Sequence, residues 1–134
     1  MSFRFIDTHC HFDFPPFTGD EAHSLQLAGE AGIEKIIIPA TAAENFARVL
    51  ALAERFSSLY AALGLHPIVI EQHTDEDLAR LQQTLETRPT KVVAIGEIGL
   101  DRYRDDPQLA RQERFLEAQL QLARRYDLPV ILHS

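Results

Sequence analysis

Five short β-favouring runs recur along the chain, and each of the first four is followed by a stretch with helical periodicity. The runs are Arg4–Thr8, Lys35–Pro39, Leu59–Leu63, Val92–Ile95 and Pro129–Leu132. Strands that recur every roughly 25–35 residues with a helix between them pair in parallel through right-handed crossovers. The first helical stretch covers about Asp20 to Ala31, with Leu25, Leu27 and Ala28 as its apolar positions, and ends near Gly32. Thr41-Ala-Ala-Glu44 reads as a capping box ahead of the stripe Phe46, Val49, Leu50, Ala53 and Phe56. Thr74 with Asp77 starts a third helix carrying Leu78, Leu81 and Leu85. Asp106-Pro107 suits a cap followed by a first-turn proline, with Leu109, Leu116, Leu120 and Ala123 continuing towards Tyr126.

The order β-α-β-α-β-α-β-α-β leaves two architectures, an open doubly wound sheet or a (β/α)8 barrel. No glycine-rich phosphate fingerprint follows the first strand, which counts against a nucleotide-binding Rossmann unit. Without repeats, low-complexity segments or a long linker, residues 1–134 read as one domain. A barrel would need about three more strands after the fifth run.

Composition narrows the functional classes. The chain has 134 residues, 46% of them hydrophobic, enough for a real core. No run approaches the roughly 20 apolar residues of a membrane span, and the opening MSFRFIDTHCH lacks the pattern of a secretory leader. A net charge of −7 argues against a protein that coats nucleic acid through overall basicity. A single cysteine, Cys10, excludes an internal disulfide and points to the cytoplasm.

Chemistry-bearing residues collect at the C-terminal ends of the strands, where both architectures place their sites. The first strand end gives Asp7, His9 and His11, the third Gly64-Leu65-His66-Pro67, the fourth Gly96-Glu97-Ile98-Gly99-Leu100-Asp101, and the fifth His133. Side chains two apart on extended backbone share a face, so His9 and His11 can converge on one ion, with Cys10 turned the other way into packing. Glu97 follows an apolar run, so its carboxylate needs either a cation or a buried salt bridge to Arg102 or Arg104. Imidazole and carboxylate together suit Zn2+, Mn2+ or Mg2+ without choosing among them. Asp7 reads as a partner orienting a ligand histidine, or as a hydrogen bond within the barrel layers. Asp101 and Arg102 line the mouth, whereas His23, His73 and Arg124-Arg125 read as solvated surface.

Four ordered motifs, "FIDTHCHFD", "AALGLHP", "VVAIGEIGLD" and "LPVILHS", resemble the TatD family of metal-dependent deoxyribonucleases and related hydrolases, nearest its YjjV-type branch. The resemblance runs along essentially the whole chain. It implies a TIM barrel of the amidohydrolase-like superfamily, of which this chain supplies roughly the first five strands and four helices. It further implies one or two divalent ions at the C-terminal mouth. His9 and His11 would hold one ion, Glu97 would bridge and serve as the catalytic carboxylate, and His133 would hold the second. His66 would contact substrate or phosphate. The family pattern adds a later histidine and an aspartate after residue 134, so the resemblance casts this chain as the N-terminal portion of a longer one. The implied reaction is cleavage of DNA phosphodiesters by metal-activated water, with 3′-to-5′ exonuclease character. Two alternatives stand beside it: the same metal barrel acting on a small amide, lactone or phosphoester, and an inactive fragment associating through open strand edges.

Overall fold

Strand order separates the two architectures. In a doubly wound sheet the order reverses at a switch point, whereas in a barrel each strand lies beside its predecessor. The computed structural model describes residues 3–134, so the first two residues of the expected 1–134 unit lie outside the described residues. Its five strands are β1 (Phe5–Asp7), β2 (Ile33–Pro39), β3 (Leu59–Leu63), β4 (Val92–Gly99) and β5 (Val130–His133). They form one sheet in the order β1-β2-β3-β4-β5, and every neighbouring pair is parallel. Successive crossovers of one hand therefore put the helices on one side, as in half of a TIM barrel.

The helices are α1 (Glu21–Glu30), α2 (Phe46–Arg55), α3 (Asp75–Glu86) and α4 (Leu109–Arg125). Ile36 and Ile38 of β2 and Leu59, Ala61 and Leu63 of β3 sit at alternate positions and join one buried cluster. Phe46, Val49, Leu52 and Ala53 of α2 cover it together with Phe115, Leu122 and Ala123 of α4. Each large side chain so buried contributes about 1.5–3 kcal/mol relative to exposure. The edge strands differ, with Phe5, Ile6 and Leu132 exposed. Among the described residues no helix is long and apolar enough to cross a membrane.

Several local expectations change. The fourth strand does not stop at Ile95 but continues to Gly99, because Gly96 and Gly99 let β5 approach closely. A Cβ on Gly96 would lie 2.7 Å from the Ile131 Cβ, and one on Gly99 2.8 Å from the His133 carbonyl oxygen. The second helix is not opened by a Thr41–Glu44 capping box. Asn45 takes that role: its side-chain oxygen accepts from the Ala42 N–H at 3.2 Å and from the Thr41 hydroxyl, with a 3-10 turn over Ala43–Asn45 leading into α2. The helix expected from Pro107 starts at Leu109, since the Pro107 carbonyl accepts from the Gln112 side chain and Gln108 is left-handed at φ 47°.

The face α4 buries is only partly the expected stripe. Ala123 is buried and Leu116 packs against the core, but Leu120 is exposed and Gln112, Phe115, Gln119 and Leu122 are buried. Leu27 of α1 likewise faces solvent. At α3 the Thr74 cap is present as expected, with reciprocal bonds between the Thr74 hydroxyl and the Asp77 N–H (3.2 Å) and between the Asp77 carboxylate and the Thr74 N–H (2.9 Å). Thr74→Ala is therefore expected to cost about 1 kcal/mol, read as a lower urea midpoint with an unchanged slope.

Candidate metal centre

Glu97 lies near the end of β4, with its side chain only 4% exposed. Its backbone N–H reaches the Ala40 carbonyl at 3.1 Å, which fixes the peptide against the neighbouring strand ends. Neither arginine expected as its salt-bridge partner meets the carboxylate: Arg104 pairs with Glu71, and Arg102 is exposed. Four imidazoles surround it instead. His9 Nε2 and His11 Nε2 lie 2.9 and 3.3 Å from Oε1, and His66 Nε2 and His133 Nδ1 lie 3.3 and 3.0 Å from Oε2.

The Oε1 side comes from the turn after β1. Cys10 N–H bonds the Ile37 carbonyl at 3.2 Å, so the backbone stays alongside β2 beyond Asp7. Cys10 packs against the core while the flanking rings of His9 and His11 stand edge to face at 5.3 Å. Asp7 Oδ1 accepts from the His9 backbone N–H at 3.1 Å, so it holds the main chain of this turn rather than an imidazole. Although two ring nitrogens lie close by, Oε1 is buried and accepts no hydrogen bond. A buried carboxylate oxygen without a donor, faced by two imidazole nitrogens, fits a cation shared among the three.

The Oε2 side is built differently. His66 Nδ1 accepts from the Ile68 N–H at 3.0 Å, so in the neutral ring the proton sits on Nε2, which faces Glu97 Oε2 at 3.3 Å. His133 stands between two carboxylates. Its Nε2 bonds Asp101 Oδ2 at 3.1 Å, which leaves Nδ1 as the nitrogen facing Glu97 at 3.0 Å. A carboxylate behind a histidine fixes the tautomer and orients the opposite nitrogen for a metal. Sets of possible ligands are thus His9, His11 and Glu97 on one side and Glu97 with His133 and the neighbouring His66 on the other.

Electrostatics follow from this crowding. Burial opposes ionisation of Glu97, but the contacts with His11, His66 and His133 outweigh it and hold the carboxyl far below its usual range. The close contact with Glu97 raises the His11 pKa, against the pull of burial. Asp101 is held low first by the hydrogen bond from the Tyr103 N–H and then by His133. Glu97 is therefore held as a carboxylate among the four imidazoles.

Of the residues singled out in the sequence, His9, His11, His66 and His133 all stand around the Glu97 carboxylate, while Asp7 stays behind the His9 turn. Other residues have roles that the sequence alone did not suggest. Asp101 is buried and touches His133 rather than merely lining the mouth. His73, read as surface, is only 1% exposed, because its Nε2 bonds the His66 carbonyl at 2.7 Å and burial depresses its pKa. His23 is exposed, as expected, beside Asp20. The available signal for His73 is its place directly before the Thr74 cap, where a side chain can fold back on the preceding turn (Pro67–Gln72).

Known proteins share this stretch of chain. Residues 6–134 match the family model described as TatD related DNase. The chain is 69% identical over 134 residues to the uncharacterized metal-dependent hydrolase YjjV of Escherichia coli K12, covering 100% of this chain and 52% of that protein. A crystal structure of YjjV from E. coli K12 superposes with a TM-score of 0.96 at 70% identity, covering 98% of this chain and 51% of the other. A 3'-5' ssDNA/RNA exonuclease TatD of Cronobacter turicensis is 37% identical over 117 residues, covering 87% of this chain and 44% of the exonuclease. The chain thus spans about half the length of the relatives it matches. Within that span the sequence identity, the structural superposition and the family model agree, and the chain belongs to the TatD family of metal-dependent hydrolases and deoxyribonucleases.

Proposed function

We propose that this chain carries the metal centre of a hydrolase that cleaves phosphodiester bonds of single-stranded DNA from the 3′ end. The observation that carries the reading is Glu97, a buried ionised carboxylate with an unbonded oxygen, faced by four imidazoles from three strand ends. His9, His11 and Glu97 would hold one divalent ion, and Glu97 with His133 a second, drawn from Mg2+, Mn2+ and Zn2+. When bound, such ions polarise a phosphoryl oxygen and provide nucleophilic water near neutral pH.

The chain's own residues do the rest. Asp7 fixes the His9 backbone, and Asp101, bonded to Nε2, holds the His133 ring with Nδ1 facing Glu97. The His66 Nε2 faces Oε2, a direction from which it can also meet a phosphate oxygen, as the substrate contact expected of it. The carboxylate is shielded, whereas the His9 and His11 side chains are 39% and 35% exposed and open the centre to substrate. A nuclease named among the relatives favours nucleic acid over small esters. One free cysteine fits a cytoplasmic setting.

The test is incubation with a 5′-labelled single-stranded oligonucleotide, alongside a panel of small amides, lactones and phosphoesters, with each metal and with chelator. It uses the purified chain and any longer product of its gene. Metal-dependent shortening from the 3′ end is expected. Turnover of the small substrates alone, with intact oligonucleotide, would replace this reading with that of a small-molecule hydrolase.

A further inference from the structure

Two glutamines on the inner face of α4, Gln112 and Gln119, are each 1% exposed. A buried carboxamide offers two donors and two acceptors and is costly unless they are used. Both glutamines use them alike, each clamping the N–H and the C=O of a single residue. Gln112 Oε1 accepts from the Asp101 N–H at 2.7 Å while its Nε2 donates to the Asp101 carbonyl at 2.9 Å and to that of Pro107. Gln119 Oε1 accepts from the Leu65 N–H at 2.7 Å while its Nε2 donates to the Leu65 carbonyl at 3.4 Å and to that of Phe115 at 3.0 Å.

The clamped residues are the ones behind the Oε2 side of the centre. Asp101 holds His133 through Nε2, and Leu65 directly precedes His66. Arg111, from the same helix, donates to the carbonyls of Ile70 (3.3 Å) and His73, and His73 in turn bonds the His66 carbonyl. The Oε1 side is held by other means, through Asp7 and the β2 backbone at the turn of His9 and His11.

We propose that α4 is the positioning element for the Oε2 half of the centre, with Gln112 setting His133 through Asp101 and Gln119 setting His66 through Leu65. The inference rests on the metal-centre reading for its consequence in metal binding, but not for its consequence in the free protein. Gln112→Met and Gln119→Met keep length and remove the hydrogen bonds. Long-range 1H–15N spectra of the histidine rings report each tautomer separately, first without metal and then during a Zn2+ titration.

Without metal, Gln112→Met is expected to shift the His133 ring signals, and Gln119→Met those of His66, with His9 and His11 unchanged in both. In the titration, Gln112→Met should weaken the response of His133 by about 10–100-fold, as loss of groups that orient a ligand does, and that of His9 and His11 by less than about twofold. Equal disturbance of all four rings, or of none in a folded variant, would overturn the proposal and reduce the glutamines to general packing. If a methionine variant does not fold, Gln112→Glu and Gln119→Glu, which retain the oxygen accepting the N–H, carry the same comparison. Absence of any Zn2+ response in the unaltered protein would refute the metal reading, while the metal-free spectra still decide the positioning role.

Discussion

Glu97→Gln is expected to abolish divalent-ion binding at the strand mouth while the chain stays folded. Glu97 is the one residue common to both sets of possible ligands. Loss of groups that merely orient ligands already costs about 10–100-fold in metal affinity, so neutralising a shared ligand should cost more than about 100-fold. Glutamine keeps the volume of the side chain and can still hydrogen-bond the surrounding rings, so the fold has little reason to change. Zn2+ titration by calorimetry, with circular dichroism as the control, measures both quantities. A folded variant that retains affinity within about tenfold would show that the carboxylate charge is not what holds the ion.

Gly64→Ala should damage the packing near the centre strongly. A Cβ there would stand 2.8 Å from the Gly96 carbonyl carbon, 2.9 Å from the Gly96 Cα and 2.9 Å from the Ile98 Cγ2. The first two of these neighbours are backbone and cannot rotate away, so β3 and β4 would have to separate. Overpacking of this kind costs about 1–3 kcal/mol. The strain falls between the strand ends that carry His66 and Glu97, so stability and metal affinity should decline together. Thermal unfolding with and without Zn2+ reads both. A variant with an unchanged melting temperature would mean that the two strands have slack that the packing does not show.

How far the molecule is legible in its sequence depends on how local each cause is. Apolar runs and caps are local, so the strand–helix alternation and the Thr74 cap can be read directly. The motif histidines His9, His11 and His133 and the carboxylate Glu97 stand out as candidates for the same reason, since each lies at the end of an apolar run. Gly96 and Gly99 do not, because a glycine that admits a neighbouring strand looks like one that makes a turn. The roles of His73, Asp101, Gln112 and Gln119 escape notice for a related reason. Polar side chains read as solvated until their partners are known, and these partners are 7 to 54 residues away in sequence. For the glutamines one clue is present: Gln112 and Gln119 are in phase with Phe115 and Leu122 on α4, so they share its buried face.

The most direct measurement is anomalous diffraction at the zinc edge from crystals grown with Zn2+. A peak is expected about 2.0–2.2 Å from His9 Nε2, His11 Nε2 and Glu97 Oε1, and at higher zinc a second one beside Glu97 Oε2 and His133 Nδ1. Zinc bound elsewhere on the molecule, with the Glu97 carboxylate still bare, would contradict a metal centre at this strand mouth.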